Sequence, residues 1–238
     1  MKIITLNTWG GRVSEPLMDF FKKHQDVDIF CLQEIYHNAK DVLVEYKEDR
    51  LNLFSDIQQV LPDYESYFRP SISNYGLALF AKKGLEILDE GEVLIYKKAD
   101  YQGGADHPRN LQYIHINYLG KEYTISNVHG LWNGKGKGDS EERLEQSRAI
   151  KSFVESSRGH KIICGDFNLS PDTESVSILD EGMRNLIKEY NIASTRTSLY
   201  PKSIRHADYI FVSPDINVKE FKVLPDEVSD HSPLFLEF

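Results

Sequence analysis

KIICGDFNLSPD, residues 161–172, is the stretch on which the reading of this chain turns. Lys161 to Cys164 have the composition of a buried strand, and a glycine, Asp166 and Asn168 follow at once. Burying an unpaired carboxylate is costly, so a core strand that ends on one pairs it, solvates it or sets it against a cation. The plain alternative is a strand closed by an Asx-type turn, in which the side chain bonds backbone two residues on. What separates the two is whether other strands end the same way.

Other strands do. IITLNTWGG (3–11) reaches Asn7, then Trp9 and a Gly-Gly turn; DIFCLQEIY (28–36) is apolar until Gln33 and Glu34; YTISNVHGLW (123–132) delivers Asn127 and His129. RHADYIFVS (205–213) starts a strand at Asp208, and EVSDHSPLFLEF (227–238) sets Asp230 and His231 just before the last one. Singly, each has a structural explanation: an Asn turn, a solvated Glu, a hydrogen-bonded wall histidine. Together they offer mainly oxygen ligands and imidazoles, where unrelated caps would mix in Ser, Thr, Gly and Lys. In packed α/β sheets reactive groups collect at one end of the strands, where the loops leave a crevice.

The chain has 238 residues, 40% hydrophobic and 27% charged, ordinary for a globular protein and long enough to need no disulfide or structural metal. Cys31 and Cys164 sit inside apolar runs and read as small buried hydrophobes of a reducing compartment. No run approaches the roughly 18 apolar residues of a membrane span, and MKIITLN turns polar too soon for a signal peptide, so no stable membrane insertion and a cytoplasmic location are expected. A formal charge of −9 leaves no global basic surface for gripping duplex DNA. Local basic groups remain after His129, namely Lys135, Lys137 and Arg143, with Trp132 available to stack on a base.

Strand-length apolar runs interleave with helical ones. Residues 14–24 predict a helix with Ser14 as N-cap, Pro16 in the first turn, and Leu17, Phe20, Phe21 and His24 on one face. Residues 41–61 predict a second, longer helix, and a third opens at Asp139-Ser140 with Glu142 as capping-box partner and runs to about Ser157. LQYIHINYLGKEYTISNVHG predicts a hairpin about Leu119-Gly120-Lys121, and Asn133 to Gly138 a flexible surface loop. Without linker, repeat or low-complexity tract, residues 1–238 read as a single α/β domain with helices packed outside sheets, expected to act as a monomer.

Hard oxygen ligands suit Mg²⁺ or Mn²⁺ bound jointly by carboxylates and a substrate phosphate. There is no zinc-finger spacing, HExxH or GxSxG. Phosphoryl transfer fits: a cation neutralises developing charge, a base activates water, and neutral donors such as Asn7, Asn168 and His129 hold the oxygens. Asp208 is the natural orienting carboxylate for a histidine base.

LNTWG (6–10), LQE (32–34), NVHG (127–130), GDFN (165–168), ADYIFVS (207–213) and SDHSPL (229–234), in that order, resemble the endonuclease/exonuclease/phosphatase superfamily of the DNase I-like fold. The resemblance implies a four-layered α/β sandwich, two mixed β-sheets face to face with helices outside, and metal-dependent phosphoester hydrolysis, usually with Mg²⁺. It implies Glu34 as chief metal carboxylate with Asn7 and Asp230 nearby. Asp166 activates or positions water or protonates the leaving group, and Asn168 and Asn7 hold the phosphate. It further implies that His231, paired with Asp208, is the imidazole at the scissile phosphate, with His129 as a second one. Arg109 and Trp132 are substrate-binding candidates. Trp9, where the exonuclease III branch tends to be acidic, and His129, where it uses Tyr, point elsewhere in the superfamily. LNTWGG with NYGLALFAKKG is similar to neutral sphingomyelinases; RNLQYIHI followed by ERLEQS is similar to the tyrosyl-DNA phosphodiesterase type. The expected substrate is nucleic acid, ahead of phospholipid and of small phosphorylated metabolites or inositides. A non-catalytic module of the same fold would have lost Glu34, Asp166, Asp208 or His231, and all four are present.

Overall fold

The computed structural model describes residues 1–41 and 47–238. Along the chain run β1 (Lys2–Asn7), a 3₁₀ turn (Trp9–Gly11), α1 (Ser14–Lys23), β2 (Ile29–Tyr36), α2 (Leu53–Val60), β3 (Tyr64–Ile72), β4 (Tyr75–Lys82), β5 (Glu86–Tyr96) and β6 (Arg109–Tyr118). There follow β7 (Lys121–His129), α3 (Glu141–Ser156), β8 (His160–Asp166), α4 (Glu174–Asp180), β9 (Arg184–Asn185), α5 (Leu186–Glu189), β10 (Asp208–Val212), β11 (Glu220–Val223) and β12 (Leu234–Glu237).

Among the described residues the strands form two six-stranded sheets, ordered β11-β12-β1-β2-β4-β3 and β5-β6-β7-β8-β10-β9. Each is mixed in the same way: β1 and β2 are parallel in the first and β7 and β8 in the second, and every other pairing is antiparallel. A parallel pair needs a crossover, supplied by α1 between β1 and β2 and by α3 between β7 and β8. Each sheet thus brings the carboxyl ends of a central strand pair side by side, with Asn7 opposite Gln33 and His129 opposite Asp166. Across the antiparallel β8–β10 pair, Asp208 lies opposite Asp166.

The expected α/β sandwich is what the chain forms. Ile3, Cys31 and Leu79 of one sheet belong to one buried cluster with Ile125, Ile162 and Cys164 of the other. Ile4, Leu6 and Phe30 pack outward with Leu17, Phe20 and Phe21 of α1 and Phe54 and Ile57 of α2. Polar side chains cross the apolar seam between the sheets, Gln112 Nε2 donating to Tyr67 O (2.8 Å) and, near the site, Gln33 meeting Asn127. Gln33 Nε2 donates to Asn127 Oδ1 (2.7 Å), and Asn127 Nδ2 donates to the carbonyls of Leu32 (3.0 Å) and Ala78 (3.2 Å).

Several local expectations change. Of the helix predicted over 41–61, the described residues form Leu53–Val60, and residues 42–46 lie outside the described ones. Ser14 is the first residue of α1 rather than its cap, and its hydroxyl accepts from Arg50 Nη1 (2.6 Å). Asp139 does not cap α3: its carboxylate takes the backbone N–H of Glu174 (2.8 Å) and Ser175 (2.9 Å), so it serves the start of α4. The predicted hairpin forms, and Leu119 (φ 52°) and Gly120 (φ 77°) give it the two left-handed residues of a type I′ turn.

Candidate active site

Glu34 is not at a strand end, as its sequence suggests, but inside β2, where the register with β4 shifts between Leu32 and Ile35. The bulge puts Glu34 at φ 59°, a conformation that costs a non-glycine residue about 1–3 kcal/mol and re-aims its side chain. Thr8, just past β1, holds it there, donating its hydroxyl to the carbonyls of Gln33 (2.9 Å) and Glu34 (3.1 Å).

Asn7 joins the two sheets' carboxylates. Its Nδ2 donates to Glu34 Oε1 and to Asp166 Oδ2, both at 3.0 Å, and its Oδ1 accepts from Trp9 N (2.9 Å). With the carbonyl turned to Trp9, Asn7 offers the cleft an amide group that steadies carboxylates, not an oxygen. Asp166 closes an Asx turn, its Oδ1 accepting from Asn168 N (2.9 Å), with Asn168 at φ 55°. Asp166 and Asn168 are therefore neighbours through a turn and not through extended chain. Gly165 permits the crowding, since a Cβ there would lie 2.0 Å from the Val128 carbonyl.

His231 Nδ1 faces both oxygens of Asp208 (2.7 and 2.9 Å), and Thr195 Oγ1 donates to Asp208 Oδ2 (2.8 Å). That pairing fixes Nδ1–H on Asp208 and turns Nε2 toward Asp166 Oδ2 (3.5 Å) and Asp230 Oδ1 (3.8 Å). His129 Nε2 stands 3.8 Å from Asp166 Oδ2 and 3.9 Å from Glu34 Oε1. Asp230 Oδ2 is held by Arg196 Nη1 (2.8 Å), whereas its buried Oδ1 has no hydrogen-bond partner among the described residues.

Glu34, His129, Asp166, Asn168, Asp230 and His231 line a cleft of about 240 Å³ together with Arg109, Trp132, Lys137, Tyr200 and Lys202, and Asn7 and Asp208 hold them from behind. Its electrostatics divide the carboxylates. Burial holds Glu34 above the usual carboxylate range, reinforced by Asp230 and Asp166 and only partly offset by the Asn7 amide. Burial would raise Asp166 too, but His231, then Lys137, and with them Arg196, keep it below that range. For His231 burial works downward, and Asp208, helped by Asp166 and Asp230, outweighs it and holds the imidazole above the ordinary value. His129 is pushed well down, by burial and then by Arg109, and stays neutral.

Sequence reasoning foresees most of the carboxylates and imidazoles here but misplaces the cations. Lys137 and Arg143 do not form a surface patch. Lys137 is buried in the cleft wall, and Arg143 is buried under the loop, donating to Gly136 O (2.7 Å) and Asn133 Oδ1 (3.2 Å); Lys135 alone of the three is exposed. Trp132 is half-buried at the cleft with Lys202 Nζ 5.5 Å from its ring centre. Arg196, Tyr75, Thr195 and the Arg12–Asp49 pair (2.6 Å) at the rim carry no sequence signal beyond their residue type.

A set of one ligand atom each from Asp166, Asp208 and His231 falls within 4.8 Å, but Asp208 and His231 already satisfy one another. The carboxylates best placed to hold a cation are Glu34, met by a neutral amide alone, and Asp230, whose Oδ1 has no partner among the described residues. Two hard carboxylate donors beside an imidazole held above its ordinary value and cationic N–H groups without acceptors among the described residues are suited to a phosphate oxygen bound against a divalent ion.

Among curated proteins no sequence matches the chain. Among solved structures it is similar to a Bacteroides thetaiotaomicron mannosyl-6-phosphatase (21% identity, 100% of this chain and 98% of that one, TM-score 0.76). It is equally similar to an endonuclease/exonuclease/phosphatase from Bacteroides vulgatus (21%, 99% and 97%, TM-score 0.75). A D. rerio TDP2 humanized by 14 mutations also superposes (15%, 99% and 97%, TM-score 0.75). At such identities these likenesses speak for the fold alone, and they agree on it. The model of the Endonuclease/Exonuclease/phosphatase family matches residues 4–231, a span that runs from the first strand to His231 and takes in every group just described. The chain belongs to that family.

Proposed function

We propose that this protein is a divalent-metal-dependent hydrolase of phosphate esters. The observation that carries the reading is the meeting of Glu34 from one sheet, and of His231 just ahead of that sheet's last strand, with Asp166, His129 and Asp208 from the other, around a cleft that also holds an Asp230 oxygen without a partner among the described residues. Glu34 and Asp230 would hold the cation, Mg²⁺ or Mn²⁺, and Asn7 keeps Glu34 beside Asp166. When bound, such an ion offsets the charge that develops on the phosphoryl oxygens. Asp166, kept ionised by its cationic neighbours, accepts the proton of the attacking water. His231, its Nδ1–H held by Asp208, presents Nε2–H to the phosphate or the departing oxygen. Neutral His129 and the Asn168 amide add donors to the equatorial oxygens.

Nucleic acid as substrate now rests on one feature, the aromatic faces of Trp132 and Tyr200 at the cleft, on which a base would stack. A steep fall of activity on single-stranded DNA with rising salt would support it. Among the described residues no helix is long and apolar enough to cross a membrane.

Hydrolysis of p-nitrophenyl phosphate and its bis ester, with Mg²⁺ and after EDTA, tests the main reading. Glu34→Gln is expected to lower kcat/KM on the preferred ester by roughly 10³-fold or more. Equal rates for wild type and variant, or rates untouched by EDTA, would refute it.

A further inference from the structure

Three buried cations reach the cleft with N–H groups that no atom of the described residues accepts. Arg109, 2% exposed, gives Nη2 to Ala105 O (3.0 Å) and leaves Nε and Nη1 without partners. Lys137, 3% exposed, has none for Nζ. Arg196 spends Nη1 on Asp230 and leaves Nε unpartnered. Buried donors are almost always satisfied, and several orphaned together on one cleft mark the position of an anionic ligand.

Lys137 is placed there by construction. Arg143 of α3 grips the Gly-Lys loop through the carbonyls of Gly136 and Gly138, and Ser170 N, just beyond the Asp166 turn, donates to Lys137 O (2.8 Å). The loop is tied on both sides of the lysine, whose side chain runs inward although its neighbour Lys135 is solvated. Burial draws the ammonium down to about 8, against the upward pull of Asp166.

We infer that Lys137 and Arg109 clamp the oxygens of a terminal phosphate, so that the site takes small phosphomonoesters in preference to phosphodiesters. The inference rests on the phosphoester reading above and narrows it. A phosphodiester carries two non-bridging oxygens and one negative charge; a monoester carries three and up to two. With one oxygen set against the cation at Glu34, a diester leaves a single oxygen for two separate cations, and a monoester leaves one for each. A cleft of about 240 Å³ holds a phosphate and a sugar-sized remainder. A net charge of −9 does nothing to gather a polyanion.

The test uses the whole protein with two readouts. With Mg²⁺, kcat/KM for p-nitrophenyl phosphate and bis-p-nitrophenyl phosphate is measured for wild type, Lys137→Gln and the exposed control Lys135→Gln. Wild type is expected to prefer the monoester by roughly tenfold or more, and Lys137→Gln to lose roughly 30-fold on the monoester and less than about threefold on the diester. Separately, in EDTA, inorganic phosphate is expected to raise the Tm of wild type and Lys135→Gln but not of Lys137→Gln, and dimethyl phosphate to raise none of them. A wild-type preference for the diester, equal losses on both esters, or no stabilisation of wild type by phosphate would each overturn the clamp, the first and last without needing any variant to fold. If neither ester is hydrolysed while phosphate still protects through Lys137, the clamp stands and the hydrolytic reading falls.

Discussion

Asp166 commits both carboxylate oxygens within the fold, Oδ1 to the Asn168 amide and Oδ2 to the Asn7 side chain. The two readings that KIICGDFN leaves open are thus both realised, because the turn that ends the strand is also what aims the carboxylate. The polar strand ends are legible one residue at a time: Asp208 and His231 fall into place as a pair, as their spacing about the last strands suggests. Thr195 and Arg196 are not legible, since they lie in residues 190–207, outside any strand or helix, and act only because tertiary approach brings them to Asp208 and Asp230. His107 gives a testable consequence of the same crowding. Burial, and then Arg109, lower it from 6.5 to about 3, while its Nδ1 stays on Pro108 O (2.8 Å). Between those values the unfolded chain binds the proton and the folded one does not, so stability falls as pH drops from about 6.5. Urea denaturation of His107→Gln should show a shallower decline than wild type, by up to about 1.4 kcal/mol per pH unit. Parallel declines would mean that His107 titrates alike in both states.

At the scale of elements, apolar periodicity identifies the central strands, where burial on both faces dictates composition. It misses β3, YESYFRPSI, an edge strand whose Glu, Arg and Pro suit an edge and whose Pro70 pairs just before a register shift. It also misses the bulge at Glu34, because a residue forced to positive φ by Thr8 and the β4 register leaves no mark on hydrophobic spacing. The β6–β7 hairpin is readable in position but not in strain. Leu119 is 86% exposed and sits at φ 52°, where its side chain gains no packing and its backbone is disfavoured. Leu119→Asn supplies the Asn-Gly pair that type I′ turns prefer and should stabilise the protein by about 0.5–1 kcal/mol, a Tm rise of about 1–4 °C. Calorimetry showing no rise, or a fall, would place the turn's strain elsewhere.

Over the whole molecule, the site exists because two sheets of like topology abut with their parallel strand pairs ending at one crevice. Asn7 ties Glu34 to Asp166 at the surface of that seam, and Gln33 ties to Asn127 beneath it. Asn127→Leu removes the acceptor of Gln33 and the donor to Leu32 and Ala78 within a fully buried seam, and should cost about 2–4 kcal/mol in urea unfolding. A loss below about 0.5 kcal/mol would show that the seam holds without it. The sequence order of the motifs announces the family and the sandwich; which sheet contributes which group is settled only when the strands pair. The central claim, that groups from both sheets make one cation-and-phosphate site, is tested most directly by anomalous diffraction from crystals soaked in Mn²⁺. The account predicts a peak in the cleft within about 2.0–2.3 Å of a Glu34 oxygen, abolished in Glu34→Gln; a metal bound only elsewhere, or a peak indifferent to that substitution, would contradict it.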